Sequence, residues 1–404
     1  MDRTIDFDTA RDLLLDLASP VSTEYIPLPE SAGRILADDL CALENVPPFD
    51  RSPYDGYALC AADTACASEE HPVTLRILEE VPAGAVPTRP VTSMTATKIL
   101  TGAPIPEGAD TVIPYELTHF TPETVTIFHP LKSGSNIVRT GEDICKGQLL
   151  AGRGTVIDTG LMGTLASQGV TNPLVYRRPL VGIISTGNEV VEVGEPLASG
   201  KIRNSNRYTL AAALKAIGCE PFYLGIAGDS PDEIADRITK GLETCDALLL
   251  TGGVSVGDYD FTPVAMEKAG VKMITHGVNM KPGMACAYGI KEQKLVCGLS
   301  GNPASSLTNF YAIAQPVLKK LTGRTDFLPE EITVTLKHEF KKKSPATRLL
   351  RGRLDLSSGT VTLVCPKDQG NVVLSSTIGC NAMGIVPAGS GPLSAGTKLK
   401  GFII

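Results

Sequence analysis

The chain has 404 residues and a formal net charge of −7. That length exceeds one ordinary core of roughly 100–200 residues, so two to four folded domains are expected, and the negative balance disfavours a general nucleic-acid binder. Ten cysteines without a single CxxC pair argue against a structural zinc site and read as buried thiols of a reducing compartment.

The opening MDRTIDFDTARDLLLDLA lacks a basic stretch ahead of an apolar core, and no apolar run nears the roughly 20 residues of a membrane span, so a cytoplasmic chain is expected. Residues 6–18 place Leu13, Leu14 and Leu17 on one helical face, with Asp8 or Thr9 as cap. A second short helix is predicted over 31–38. VPPFDRSPYDGYAL follows, where the prolines and Gly56 exclude a regular helix. From about 57 to 140, short runs such as VTLRILEEV, ATKIL and TVTIFH are separated by Pro and Gly, the texture of a small β domain. TGLMGTLASQG, residues 159–169, then restores helical patterning, so the β region reads as an insertion into a helical domain.

Residues 178–323 alternate strand and helix: PLVGIIS, NRYTLAAALKAIG, PFYLGIAG, IADRITKGLE, DALLLTGG, TPVAMEKAG, VKMITHG and KLVCGLSG, with Pro303 opening a helix to about Leu321. Ser230-Pro-Asp-Glu233 has the form of a capping box with proline at the first helical position. This alternation predicts an α/β domain with a mostly parallel sheet. The tail returns to short strands (ITVTLKHEF, TVTLVC, NAMGIVPAG, TKLKGFII), a small β-barrel or sandwich in which Lys341–Lys343 reads as a solvated edge. The expected fold class is therefore multidomain α/β plus β. A helical domain spans 1–45 and 142–177, the inserted β domain 46–141, the α/β domain 178–325 and the C-terminal β domain 326–404.

Ligands of open parallel sheets bind beyond the carboxyl ends of the strands. Four loops leave such ends: Ser185-Thr-Gly-Asn-Glu189, Gly228-Asp-Ser-Pro231, Thr251-Gly-Gly-Val-Ser-Val-Gly-Asp-Tyr-Asp-Phe261 and Leu299-Ser-Gly-Asn-Pro303. Gly252 and Gly253 let the backbone approach a ligand, and the amides from Gly253 to Gly257 suit an anion nest. A tight strand-to-helix turn also uses such glycines, but Ser255 and three sister loops of like texture favour a ligand site. Asp229 and Asp260 suit Mg²⁺ beside phosphate oxygens, or alternatively cap the helices that follow them. Lys281, in Met280-Lys-Pro-Gly283, offers a point charge to a phosphate or oxyanion, or else is a solvated surface lysine. Asp55 and the pair Glu142-Asp143 sit in turns at the two junctions of the inserted β region, as Asx-turns or the acids of a polar cleft. The lone histidines, His276 among them, read as packed or exposed. No G-x-S-x-G elbow, no P-loop and no G-x-G-x-x-G is present.

The segments PPFDRSPYDGYA, TGAPIPEGADTVIPYE, RTGEDI, STGNEV, NSNRYTL, TGGVSVGDYD, MKPG and GLSGNP occur in order over nearly the whole chain. Together they resemble the molybdopterin molybdenumtransferases, the family that includes the C-terminal domain of gephyrin. The resemblance implies an elongated homodimer that converts adenylylated molybdopterin and molybdate, with Mg²⁺, into molybdenum cofactor and AMP. By the same resemblance Gly252, Gly253, Ser255 and Gly257 hold the pterin's phosphates, and Asp229 and Asp260 hold Mg²⁺. Thr186, Gly187, Glu189, Asn206, Ser300, Gly301, Asn302 and Pro303 line the pterin and nucleotide cleft, and Lys281, Pro282 and Gly283 face its anionic end or molybdate. Asp55 and Asp143 match acidic positions brought to the cleft, with the partner subunit as their source. Arg351 and Ser375 are further candidates for holding molybdate. Two departures stand out: Ser300 replaces a frequent proline, and Met284 a frequent lysine. A molybdopterin adenylyltransferase supplying the substrate and apo-molybdoenzymes receiving the product are the implied partners. Two rivals stay open, molybdopterin adenylyltransferase activity itself and a non-catalytic scaffold.

Overall fold

The computed structural model describes residues 5–255, 260–357 and 359–404. The chain divides into two compact units, one comprising 39–152 and 160–171 and the other the remaining residues.

In the first of these, six strands form one sheet in the order Thr111–Pro114, Gly56–Leu59, Thr95–Ile99, Val73–Val81, Thr124–Ile127, Thr118–Phe120. Its core is Tyr57, Leu59, Leu75, Val125 and Ile127. These residues recur with the period of two that strand alternation requires.

The larger unit holds the α/β sheet, whose order is Glu220–Ala227, Leu180–Thr186, Ala247–Thr251, Lys294–Leu299, Ala287–Lys291, Lys272–His276. The first four strands run parallel, Ala287–Lys291 runs against them, and Lys272–His276, antiparallel to Ala287–Lys291, runs with them again. Both faces are covered, which is why ALLL at 247–250 is apolar without alternation. Val181, Ile183 and Leu249 pack with Leu210, Leu214, Phe310 and Ile313 on one side. Ile184, Leu248 and Leu250 pack with Ile234, Ile238, Ala265 and Met266 on the other. Each such fully buried aliphatic contributes about 1.5–3 kcal/mol.

The tail closes into a five-stranded barrel: Thr347–Asp355, Thr362–Val364, Glu331–Leu336, Lys398–Ile403 and Ala382–Val386, which returns to Thr347–Asp355. Met280–Lys281 joins this barrel sheet in parallel, Lys281 opposite Arg348. A two-residue piece of the α/β region is thus stitched to the barrel.

Several local expectations are corrected. Residues 31–38 are not helical. Gly33 takes φ +73°, a three-residue turn ends at Glu30, and Ile35 and Leu36 bridge to Val156 and Val175 instead. The first helix begins at Phe7, one residue before the expected caps. Asp6 takes the cap position, and Asp8 lies in the first turn, paired with Arg11 at 2.9 Å. The helix from Pro303 to Leu321 is interrupted by a π-helical stretch over Phe310–Ala314. The strand Ala287–Lys291 was not anticipated, because CAYGIK merges with the following KLVCGL into one apolar stretch broken only by a two-residue turn at positive φ (Glu292, Gln293). Lys341–Lys343 is not a strand edge but a short connection between two isolated bridges, Phe340 with Leu393 and Ser344 with Ser390.

Candidate active site

The four loops at the carboxyl ends of the parallel strands enclose a cleft of about 650 Å³, lined among others by Thr186, Gly187, Glu189, Asn206, Asp229, Gly252, Gly253, Ser255, Asp260 and Ser300–Pro303. Strand order explains the convergence. Leu180–Thr186 leads by one crossover to Glu220–Ala227 on one side, and the next strand, Ala247–Thr251, lies on the other. The crevice opens where the winding reverses.

Hydrogen bonds tie the loops together. Gly252 N donates to Leu299 O at 3.0 Å, and Gly187 N to Ala227 O at 3.2 Å. Thr186 Oγ1 donates to Thr251 O at 3.2 Å, Thr262 Oγ1 to Gly252 O at 2.8 Å, and Asn206 Nδ2 to Gly301 O at 2.9 Å. Gly252 is required twice over. Its φ is +108°, and a Cβ there would lie 2.5 Å from Thr186 Oγ1 and 2.8 Å from Thr186 O. Gly257 lies outside the described residues.

Asp229 does not cap the helix that follows. Ser230 fills that role, its side chain accepting from Glu233 N. The Asp229 carboxylate instead accepts from Asn188 N at 3.0 Å and stays on the cleft wall with Asp260. The following short helix begins after Phe261, which gives no side-chain cap. Among the described residues no group of three or more His, Cys, Asp or Glu side chains is placed to hold a metal. Asp229 and Asp260 line the same cleft and are donors of the type Mg²⁺ takes together with phosphate oxygens and water rather than in a full protein cage.

Behind the cleft lies a polar clamp that sequence reasoning missed. Asn204 Nδ2 donates to Ser185 Oγ at 3.0 Å and to Tyr223 Oη at 3.1 Å. Tyr223 Oη donates to Glu192 at 2.6 Å, and Arg207 Nη1 reaches the other Glu192 oxygen at 2.6 Å while its guanidinium lies 3.7 Å from the Tyr223 ring centroid. Burial raises the Glu192 pKa, but the hydrogen bonds from Tyr223 and Arg207 outweigh it and hold the carboxyl below its ordinary value. Burial, aided by Glu192, pushes the Tyr223 phenol up to about 12. The clamp fixes Ser185 and Asn204, both in the cleft wall. Asn204 also caps the Ser205–Ala216 helix through Arg207 N.

A second cavity of about 720 Å³ adjoins the first and shares Ser255, Ser300 and Asn302 with it. Its walls carry Lys281, Pro282, Gly283, Met284, His276, Lys342, Arg348 and the Gln369–Asn371 edge. Lys281 is half-buried in this wall. Gly283 packs so closely on Asn309 that a Cβ would lie 2.8 Å from Asn309 Oδ1, and Asn309 Nδ2 donates to Gly283 O at 2.8 Å. Arg348 and Lys342 were not singled out from the sequence, whereas Arg351 was. Three residues along a strand reverse the facing side. Arg348 turns to the cavity, and Arg351, 1% exposed, lies on the opposite face of the strand, away from the barrel-core side chains Leu350 and Leu354. There its Nη2 donates to Ser376 Oγ at 3.0 Å and Gly370 O at 3.3 Å, buttressing the cavity edge from behind. Ser375 sits in the turn Leu374–Thr377 and lines neither cavity.

Asp55 and Asp143 belong to the other compact unit. The Asp55 carboxylate accepts from Thr101 N at 2.7 Å and Thr101 Oγ1 at 2.8 Å, and these bonds, the backbone one first, lower its pKa. Asp143 is exposed, its N–H donating to Val46 O at 3.0 Å.

Comparison with known proteins covers nearly the whole chain. The MoeA N-terminal region (domain I and II) matches residues 5–169, a probable molybdopterin binding domain residues 182–320, and the MoeA C-terminal region (domain IV) residues 333–400. A molybdopterin molybdenumtransferase of Bacillus subtilis is 37% identical over 95% of this chain and 90% of its own. That of Staphylococcus epidermidis is 34% identical over 92% and 88%. The crystal structure of a molybdopterin biosynthesis moeA protein from Pyrococcus horikoshii superposes with a TM-score of 0.85 at 30% identity, covering 100% of both chains. With its three regions matched in order and its relatives alike over nearly their full length, the chain belongs to the MoeA family of molybdopterin molybdenumtransferases.

Proposed function

We propose that the chain inserts molybdenum into molybdopterin, taking adenylylated molybdopterin and molybdate and releasing AMP as molybdenum cofactor forms. The observation that carries this reading is the pair of adjoining cavities. One is a glycine-walled cleft lined by the carboxylates of Glu189, Asp229 and Asp260, and the other is a cavity lined by cations. A long anionic substrate and a small oxyanion need two such neighbouring compartments.

The protein's contribution is positioning and electrostatics. The backbone at Gly252–Ser255 and the hydroxyl of Ser300 hold the pterin's phosphates, and Asn206 and Asn302 orient the ligand along the wall. Asp229 and Asp260 would hold Mg²⁺, which supplies charge neutralisation at the pyrophosphate. Lys281 and Arg348 hold molybdate with its oxygens toward the shared wall at Ser255, Ser300 and Asn302. Arg351 and Ser375 take no direct part, Arg351 supporting the cavity edge. Asp55 and Asp143 are assigned to a neighbouring subunit's cleft in a homodimer. A cytoplasmic setting is part of this reading, and no described helix is long and apolar enough to cross a membrane. A molybdopterin adenylyltransferase upstream and apo-molybdoenzymes downstream are the partners this chemistry needs.

The test is a single turnover of purified protein with adenylylated molybdopterin and Mg²⁺, with and without molybdate, following AMP and metal-bound pterin together. Molybdate-dependent AMP release coupled to cofactor formation is expected. Tight binding without either product would overturn the reading in favour of a carrier, and ATP consumption without molybdate would favour the adenylyltransferase.

A further inference from the structure

The cation-lined cavity has an unusual charge balance. Lys281, Arg348, Lys342 and His276 face it, and no Asp or Glu is among its described lining residues. Lys281 and Arg348 are register partners on neighbouring strands, where like charges repel. The Arg348 Nε is buried without a hydrogen-bond partner among the described residues. An anion between them relieves both penalties, but these two cations approach from one strand pair only. On the turn after Lys281, beyond Pro282 and Gly283, the lining side chain is Met284, 44% exposed and uncharged.

Lys342 comes from a different wall. It is the middle residue of a three-lysine connection held at both ends by bridges, with Phe340 N donating to Leu393 O at 2.8 Å and Ser344 N to Ser390 O at 3.0 Å. So short a tether keeps Lys342 at the cavity mouth. Its neighbour Lys341 pairs with Glu339 at 3.0 Å, whereas no ion pair involves Lys342 among the described residues.

We infer that Lys342 is a specificity-determining residue of the oxyanion cavity, the third cation that meets a tetrahedral dianion from the barrel side and favours it over a monoanion. The inference rests on the reading of this cavity as the molybdate site. A lysine on a flexible stem at the mouth acts as a point charge on capture rather than on bond making. Its effect therefore falls on the molybdate concentration for half-saturation more than on the maximal rate.

The experiment follows molybdate-dependent AMP release from adenylylated molybdopterin in the full chain, with perrhenate, a tetrahedral monoanion, as competitor. Lys342→Ala should raise half-saturating molybdate about fivefold, weaken perrhenate inhibition distinctly less, and lose most of its difference from the parent at high salt. Lys342→Arg should restore molybdate affinity, and Lys341→Ala should leave it unchanged. Equal behaviour of Lys342→Ala and Lys341→Ala, or equal loss of molybdate and perrhenate, overturns the inference. Lys281→Ala separates the two levels. If it raises half-saturating molybdate while Lys342→Ala does not, Lys342 alone falls. If it does not, the cavity is not the molybdate site and both readings fall.

Discussion

The two cavities are built in opposite ways. The glycine-walled cleft is made almost wholly from loops that each follow directly on a strand, so its residues lie in short local motifs. The cation-lined cavity is made from residues more than sixty positions apart, brought together where Met280–Lys281 pairs with Thr347–Arg348 and where two bridges pin the three-lysine connection. The first depends on backbone geometry, the second on charge, and substitutions should separate them accordingly.

The largest effect is expected at the cleft acids. Asp260→Ala should reduce Mg²⁺-dependent AMP release by on the order of 100-fold or more while the circular dichroism spectrum and melting temperature stay those of the parent. Full activity would remove Asp260 from the proposed metal pair. Next comes Gly252→Ala, which should cost about 2 kcal/mol of stability in urea, since the residue needs φ +108° and a Cβ would press on Thr186. An unchanged denaturation midpoint would mean the turn relaxes freely. Arg348→Met should raise half-saturating molybdate about tenfold without moving the affinity for the adenylylated pterin. A change in pterin affinity instead would erase the distinction between the cavities. The smallest effect is at the clamp: Tyr223→Phe removes the hydroxyl between Asn204 and Glu192 and should cost about 1 kcal/mol.

The clamp also sets a pH dependence. The folded pKa of Glu192 lies below its ordinary 4.5, so its contribution is fully present above that value. It is lost as pH falls through the lower folded pKa. Protection factors against hydrogen exchange over residues 192–201, taken relative to the slower intrinsic exchange at low pH, should fall on acidification in the parent and respond less in Tyr223→Phe.

What could be read beforehand follows the same division. STGNE, TGG and GLSGNP announce strand-to-loop transitions within a few residues, and the α/β alternation that orients them is strongly periodic. Lys281 was legible from its turn. Arg348 was not, because choosing it over Arg351 requires the phase of the strand, and the two arginines sit on opposite faces. Lys342 was hidden in a run that also suits a solvated edge. The Glu192–Tyr223 clamp joins two residues whose partnership arises only when the sheet forms. The failed helix at 31–38 shows the reverse error, where Gly33 and bridging to distant strands override a helical-looking pattern.

The stitch of Met280–Lys281 to the barrel strand has a consequence in time. During synthesis from the amino terminus, every residue described in the glycine-walled cleft has been made once Pro303 is added, and domains fold as units as they emerge. The neighbouring cavity waits for Arg348 and Asn371. A nascent chain can therefore complete the glycine-walled cleft well before it completes the cation-lined cavity. A carboxy-terminal truncation after residue 325 should reproduce that half-made state, with Lys281 left at an unpaired edge.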